Sequence, residues 1–485
     1  MNRSSIFSFA LVLFGSAIGS RAAESEIFTG TAAASGTHKR PQLLVDGKRY
    51  ELKASDQADA SVPEALDKFS RGDTGTYTVK GKRGTVNGND GIIIDSIAPA
   101  KPIRGAGAAA APKQPGYKSY DYAEADHKLR LVVPAGLAVV RGILVVGPYS
   151  GGDSRDYHLQ VWYREFMHLH DFAFLGAKDF YLHDYKVMQN ALKQFAADSE
   201  HPELVHSPYA ATGFSAGGGF TRRLLKEVPD KVIAAVVVGS TLKLSGITAA
   251  HEATPVCIIN GEHEGNGMAS LLEPVLAEHR PKGAVWGWMA VPGVGHEFAG
   301  QEVLSMPILD AAVRLRFNAD GDVRKGPINL QPVDPKTGWV ADNTTWKSGL
   351  TKIAAAKDFK GDVAKSSWLL NEDLAFVYRS YSTFDRPLKI TSPDPMSARG
   401  DVWEAGSSVT IVVDDSKFAG WRKLELYDGA TKVGELAKGP SKFTVKDLKA
   451  GYHAFSALGT DGKGTIRPSN PVLVVVRKPA ATSQQ

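Results

Sequence analysis

The sequence predicts an α/β protein: a doubly wound, mostly parallel sheet flanked by a small N-terminal all-β domain and a C-terminal β-sandwich. Three observations carry this expectation. Apolar strand-like runs alternate with helical periods over residues 118–318. Short strands punctuated by turn pairs fill residues 27–98 and 387–477. An Ala-, Gly- and Pro-rich stretch, residues 99–117, separates the first β region from the α/β region and reads as a linker. The chain has 485 residues, too many for one ordinary domain of about 150. Its 43% hydrophobic and 22% charged residues suit folded, globular units.

The N-terminus has a basic start at Arg3, an apolar run from Ile6 to Ile18, and Ser20 and Ala22 in a small-x-small arrangement. That pattern predicts a secretory signal peptide over residues 1–22, so the mature chain is expected to be exported. The apolar run is shorter than the roughly 20 residues of a membrane-spanning helix, and no later run reaches that length, so no membrane span is expected. Residues 27–98 carry "QLLVDGKRYEL", "GTYTVKGKRGTV" and "GIIIDSI", broken by "DGK" and "NGND". They predict a small barrel of OB-like type.

In the α/β region, "HKLRLVVP" alternates with period two, whereas "GILVVG" is continuously apolar, as a strand covered on both faces should be. The helical stretch "RDYHLQVWYREFMHLH" follows, then the strand "FAFLGA". In "YKVMQNALKQFAADS", Val187, Ala191, Leu192 and Phe195 recur at helical spacing. The strand "YAATGFS", the helix "GGGFTRRLLKEVP" and the strands "VIAAVVVG", "PVCIIN" and "AVWGWMAV" complete the alternation. Residues 319–386 are looser and tryptophan-bearing; "SSWLLNEDLAFVYRSY" reads as helical, and the segment is expected to pack on the α/β core. Residues 387–477 show several strands at about ten-residue spacing, the texture of a sandwich.

The formal charge of +5 is mild for this length, and no stripe of Lys and Arg interleaves with aromatics, so nucleic acid is not an expected partner. The single cysteine, Cys257, excludes an intrachain disulfide and lies in an apolar run as a buried small hydrophobe. "NADGDV" at 318–323 lacks the remaining ligands of a calcium loop and reads as a turn.

"ATGFSAGGGF", residues 211–220, holds Gly-x-Ser-x-Gly centred on Ser215. A serine hydroxyl is a poor nucleophile at neutral pH; it needs a base, a group that orients the base, and donors for the developing oxyanion. The strand "PYAAT" before it and the helix after it supply the required strand–turn–helix setting. The amide of Ala216, opening that helix, is a candidate oxyanion donor. His296 in "VPGVGHEF", after the last strand, stands where the base should be in chain order. Glu262 and Glu264 in "NGEHEGNG" are both candidate acids. His263 lies between them without metal-ligand spacing, so no metal and no cofactor is expected. The loop "ILVVGPYSGGDSR" offers the amides of Tyr149 or Ser150 as the second oxyanion donor.

With "GPYSGGDSR", "GFSAGGG", "NGEHEGN" and "GVGHEF" in that order, residues 118–318 resemble the α/β-hydrolases, and are similar to compact esterases of the dienelactone-hydrolase-like and cutinase-like groups. The resemblance implies a serine esterase with Ser215, Glu264 and His296 as its triad and the amides of Tyr149 and Ala216 as its oxyanion hole. It favours Glu264 because the family often places the acid three residues after the glycine ending that strand; Glu262 stays as the alternative. The chain departs from the family pattern in using Glu where Asp is commoner and in lacking His-Gly in the oxyanion loop. Residues 387–477, with "PLKITSP", "ELYDG", "AGYHAFSALGTDGKG" and "SNPVLVVV", resemble bacterial immunoglobulin-like modules. The expected substrate is a small-molecule or polymer-linked ester, with polysaccharide or cell-surface contact through the β domains. A peptidase or amidase of the same fold, and a non-catalytic surface-binding protein, remain the alternatives.

Overall fold

The computed structural model describes residues 25–34, 40–45, 48–70, 76–99, 116–178, 185–242, 244–265, 268–298, 300–317, 321–393, 402–418, 420–437 and 439–478. The expected signal peptide, most of the expected linker and the start of "NADGDV" lie outside the described residues.

Five strands, β1 (Glu26–Ala34), β2 (Pro41–Val45), β3 (Lys48–Ala54), β4 (Thr76–Val86) and β5 (Asn89–Pro99), close into a barrel in the order β1-β2-β3-β5-β4. Helix α1 (Ser61–Ser70) connects β3 to β4, an element the all-β expectation omits. Its Val62 and Phe69 join Leu43, Leu52, Val79 and Ile92 in the barrel's own core. The spacing of Val62, Leu66 and Phe69 is the helical signal in that stretch.

The next eight strands are β6 (Tyr117–Glu124), β7 (His127–Pro134), β8 (Gly142–Gly147), β9 (Phe172–Lys178), β10 (Tyr209–Phe214), β11 (Val232–Val238), β12 (Val256–Gly261) and β13 (Trp286–Val291). They form one mixed sheet in the order β13-β12-β11-β10-β8-β9-β7-β6. The strands β8 to β13 run parallel, and β7 and β6 add an antiparallel edge. Every residue of β8, β10 and β11 is buried, which is why these runs are apolar throughout rather than alternating.

Helices lie on both faces. Helices α2 (Val161–His170) and α7 (Glu302–Arg316) pack with one set of strand side chains, including Leu144, Val146, Ile233 and Val236. Helices α3 (Tyr185–Ser199), α4 (Ala216–Glu227) and α6 (Met268–His279) pack with the alternate set, including Ile143, Val145 and Val237. The one-turn α5 (Ala249–Glu252) precedes β12. Cys257 is buried in β12, and burial pushes its thiol up to about 12.

Residues 321–386 form a three-stranded sheet, β14 (Trp339–Asp342), β15 (Ile353–Ala355) and β16 (Ser366–Leu369), and helix α8 (Glu372–Ser382). The helical reading of "SSWLLNEDLAFVYRSY" is therefore corrected at its start: Ser366–Leu369 is a strand. The helix begins only after Asn371, whose Oδ1 accepts from the Leu374 amide at 2.9 Å. The segment docks on β13, where the Trp288 amide donates to Ser367 Oγ at 2.8 Å and Tyr378 Oη donates to the Trp288 carbonyl at 2.5 Å.

The C-terminal strands are β17 (Lys389–Ser392), β18 (Val402–Glu404), β19 (Val409–Asp414), β20 (Lys423–Asp428), β21 (Thr431–Leu436), β22 (Lys442–Val445), β23 (Gly451–Thr460), β24 (Ile466–Pro468) and β25 (Val472–Arg477). They form two sheets, β17-β19-β22 and β18-β25-β23-β20-β21 with β24 beside β23. Leu424, Phe455, Ile411 and Val474 share the core of this two-sheet unit. Val402, Ala454 and Val475 instead belong to the large cluster that includes α2 and α7. Arg477 pairs with buried Glu165 at 3.1 Å, and Tyr452 Oη donates to the Trp162 carbonyl. No helix among the described residues is long and apolar enough to cross a membrane.

Candidate active site

Ser215 stands between β10 and α4 at φ 56°, ψ −113°, a conformation that is sparsely populated for a residue with a side chain. Its amide donates to the Val238 carbonyl at 2.8 Å, and its carbonyl accepts from Gly218 at 3.0 Å, so the turn is tied on both sides. The glycines after it allow α4 to start against the end of β8: a Cβ on Gly217 would overlap the Gly147 carbonyl. This close backbone contact brings the start of α4 beside the 147–149 turn. Among the described residues neither the Ala216 amide nor the Tyr149 amide has an acceptor.

The structure brings Ser215, His296 and Glu264 together. His296 Nε2 lies 2.9 Å from Ser215 Oγ, and His296 Nδ1 lies 2.5 Å from Glu264 Oε1. With Nδ1–H donated to the carboxylate, Nε2 is free to accept the serine proton. The Glu264 side chain is 2% exposed and that of His296 39%, so the acid is enclosed while the base faces solvent. The acid and base loops pack backbone to backbone. The Glu262 amide donates to Val291 at 2.9 Å and the His263 amide to Val294 at 2.8 Å. A Cβ on Gly261 would collide with the Val294 and Gly295 carbonyls.

Glu262 points elsewhere. Its carboxylate accepts from the Gly293 amide at 3.1 Å and pairs with Lys347 Nζ at 3.1 Å. Partial burial pushes its pKa up, but the Gly293 amide and the Lys347 and His263 charges outweigh that and hold it below the usual carboxylate value. Glu262 thus ties the base loop to Lys347 and makes no hydrogen bond or ion pair with His296 among the described residues.

The Tyr149 carbonyl accepts from the Gly152 amide at 2.8 Å, closing the turn. Its ring meets Phe298 edge-on at 6.1 Å, and its hydroxyl is buried without a hydrogen-bond partner among the described residues. Burial alone pushes that phenol up to about 12. The neighbouring Arg155 forks onto Asp153 at 2.8 and 2.9 Å, a pair that braces the turn.

Several contributors escape motif reading. Phe214 packs on the His296 ring with centroids 4.8 Å apart and on Phe298 at 4.4 Å. Both phenylalanines flank motif residues in "GFS" and "GHEF", which is the signal available. Asn260, at the end of β12, donates from Nδ2 to Glu264 Oε2 at 2.5 Å. Only its place four residues before the acid hints at this. Lys347 carries no local signal. Beside the acid lies a cavity of about 700 Å³ whose walls include Asn260, Glu262, Glu264, Trp288, Trp346 and Lys347. Among the described residues no cluster of three or more His, Cys, Asp or Glu side chains is arranged to hold a metal ion.

No family model and no curated protein matches the chain. Among solved structures, the S-formylglutathione hydrolase FrmB from Staphylococcus aureus is 14% identical over 42% of this chain and 100% of its own, with a TM-score of 0.28. A feruloyl esterase module from Clostridium thermocellum is 11% identical over 44% of this chain and 95% of its own, with a TM-score of 0.30. A fibronectin(III)-like module of Clostridium thermocellum CbhA is 22% identical over 19% of this chain and 94% of its own, with a TM-score of 0.17.

Proposed function

We propose that this chain is a serine hydrolase that cleaves carboxylic esters through an acyl-enzyme. One observation supports the reading above all: the continuous hydrogen-bonded line from Ser215 Oγ through His296 to Glu264, at 2.9 and 2.5 Å, on a strained strand–turn–helix corner. In this reading Ser215 Oγ adds to the ester carbonyl while His296 Nε2 takes its proton. Glu264 keeps Nδ1 protonated and stabilises the imidazolium. The carbonyl oxygen becomes an oxyanion facing the amides of Ala216 and Tyr149. Collapse breaks the bond to the alcohol, which leaves with the proton from His296. Water then adds to the acyl-enzyme as His296 takes its proton, and collapse releases the carboxylic acid and returns the proton to Ser215.

The N-terminal signal pattern supports export, and the two appended β domains favour esters carried on a polymer, with those domains touching polysaccharide or cell surface.

A fluorophosphonate probe tests the reading. The wild-type protein should be labelled and Ser215→Ala should not be. No labelling of the wild type points to a binding protein, and labelling that survives the substitution removes Ser215 as nucleophile. Turnover of short-chain aryl esters against peptide amides then separates an esterase from a peptidase or amidase.

A further inference from the structure

We infer that Asn260 is a positioning residue of this site: its side-chain amide holds Glu264 in the rotamer that His296 requires. The inference rests on the serine-hydrolase reading. Glu264 offers two oxygens, and both are occupied. Oε1 faces His296 Nδ1 at 2.5 Å, and Oε2 accepts from Asn260 Nδ2 at 2.5 Å. A carboxylate held at both oxygens cannot turn about its terminal torsion, so the direction of Oε1 is set by the bond at Oε2.

Asn260 is itself fixed. It is 2% exposed, it pairs with Ala290 in the β12–β13 register, and Nδ2 also reaches the Ser240 carbonyl at 3.3 Å. Its Oδ1 is buried with no hydrogen-bond partner among the described residues, an unfavourable state for an amide oxygen. Turning the amide over would bring Oδ1 against the carboxylate, two acceptors facing each other, so the orphaned oxygen is the cost of keeping N–H on Glu264. Asn260 makes no hydrogen bond to Ser215 or His296 among the described residues, so it acts through Glu264.

The test uses the full chain, with wild-type fluorophosphonate labelling and aryl-ester turnover as the reference. Asn260→Leu removes the donor at similar volume. It should lower kcat roughly 10- to 100-fold through misalignment of the acid, with KM nearly unchanged. In Asn260→Asp the introduced carboxyl can donate only while protonated, and two adjacent carboxyls share one proton up to a raised pH. The ratio of variant to wild-type kcat/KM should therefore fall as pH rises from about 5 to about 8, which a merely structural role would not produce. Full kcat in Asn260→Leu, or a flat ratio in Asn260→Asp, overturns the inference while leaving an active wild type and its nucleophile in place. An inert wild type overturns the serine-hydrolase reading and the inference with it. If Asn260→Leu melts below the assay temperature, the Asn260→Asp ratio decides alone.

Discussion

Two neighbouring glutamates, Glu262 and Glu264, have the same chemistry and opposite surroundings. Glu264 is enclosed against His296 and Asn260, whereas Glu262 is engaged by Gly293 and Lys347. Glu264→Gln should cut aryl-ester turnover about 10³- to 10⁴-fold, because a neutral amide stabilises the wrong imidazole tautomer. Glu262→Gln should keep most of the activity and cost about 1 kcal/mol of stability, measured by denaturant unfolding. Glu302, the first residue of α7, gives a pH prediction. Burial raises its carboxyl from the ordinary 4.5 to about 7, against the lowering effect of its own helix-end amide and Gln301. The folded state therefore prefers the protonated form. That stability is fully present below about 4.5 and is lost as pH rises towards 7, since the unfolded chain ionises first. Thermal melts across pH 4 to 8 should show this decline in the wild type, and Glu302→Gln should flatten it.

At the scale of elements, the corner between β10 and α4 depends on backbone meeting backbone. The start of α4 lies against the end of β8 because Gly217 has no side chain to hold them apart. Gly217→Ala should cost at least about 1–3 kcal/mol, since the overlapping partner is a carbonyl and not the end of a flexible side chain. It should also displace the Ala216 amide, so kcat should fall further than the melting temperature alone accounts for; paired melts and kinetics measure both. The strands around this corner were readable because strands covered on both faces are apolar without a break, as in "GILVVG" and "VIAAVVVG". The strand Ser366–Leu369 reads as helix from the sequence because its four apolar and small residues run closely into a true helical period. The docking of Ser367 on Trp288 and the Asn371 cap separate the two.

Across the whole molecule the two β units are built differently. The barrel buries a core drawn from residues 28–94 alone. The C-terminal sandwich shares Val402, Ala454 and Val475 with the cluster around α2 and α7, and its Arg477 neutralises Glu165, which is 3% exposed. Removing residues 387–485 would leave that carboxylate with only its chain neighbour Arg164, at 3.1 Å, and open an apolar face. The shortened chain should aggregate or melt well below the full-length protein, whereas removal of residues 1–115 should leave the melting of the remainder nearly unchanged. Calorimetry on the two truncations distinguishes them.

The sequence by itself determined the alternation of strands and helices, the β character of both flanks, and Ser215, His296 and a pair of candidate acids, Glu262 and Glu264, by chain order after parallel strands. These are local or periodic properties: apolar period, glycine at tight turns, and position after a strand. The choice between Glu262 and Glu264 drew on family resemblance, and tertiary structure separates their environments by bringing Lys347 and Gly293 to one and Asn260 to the other. The roles of Phe298 and Lys347, and the fusion of the sandwich to the core, likewise arise from contacts between residues distant in the chain, whereas Asn260 meets Glu264 only four residues on. The hydrogen-bond partners of these polar side chains are set by what packs alongside, and no local pattern encodes that.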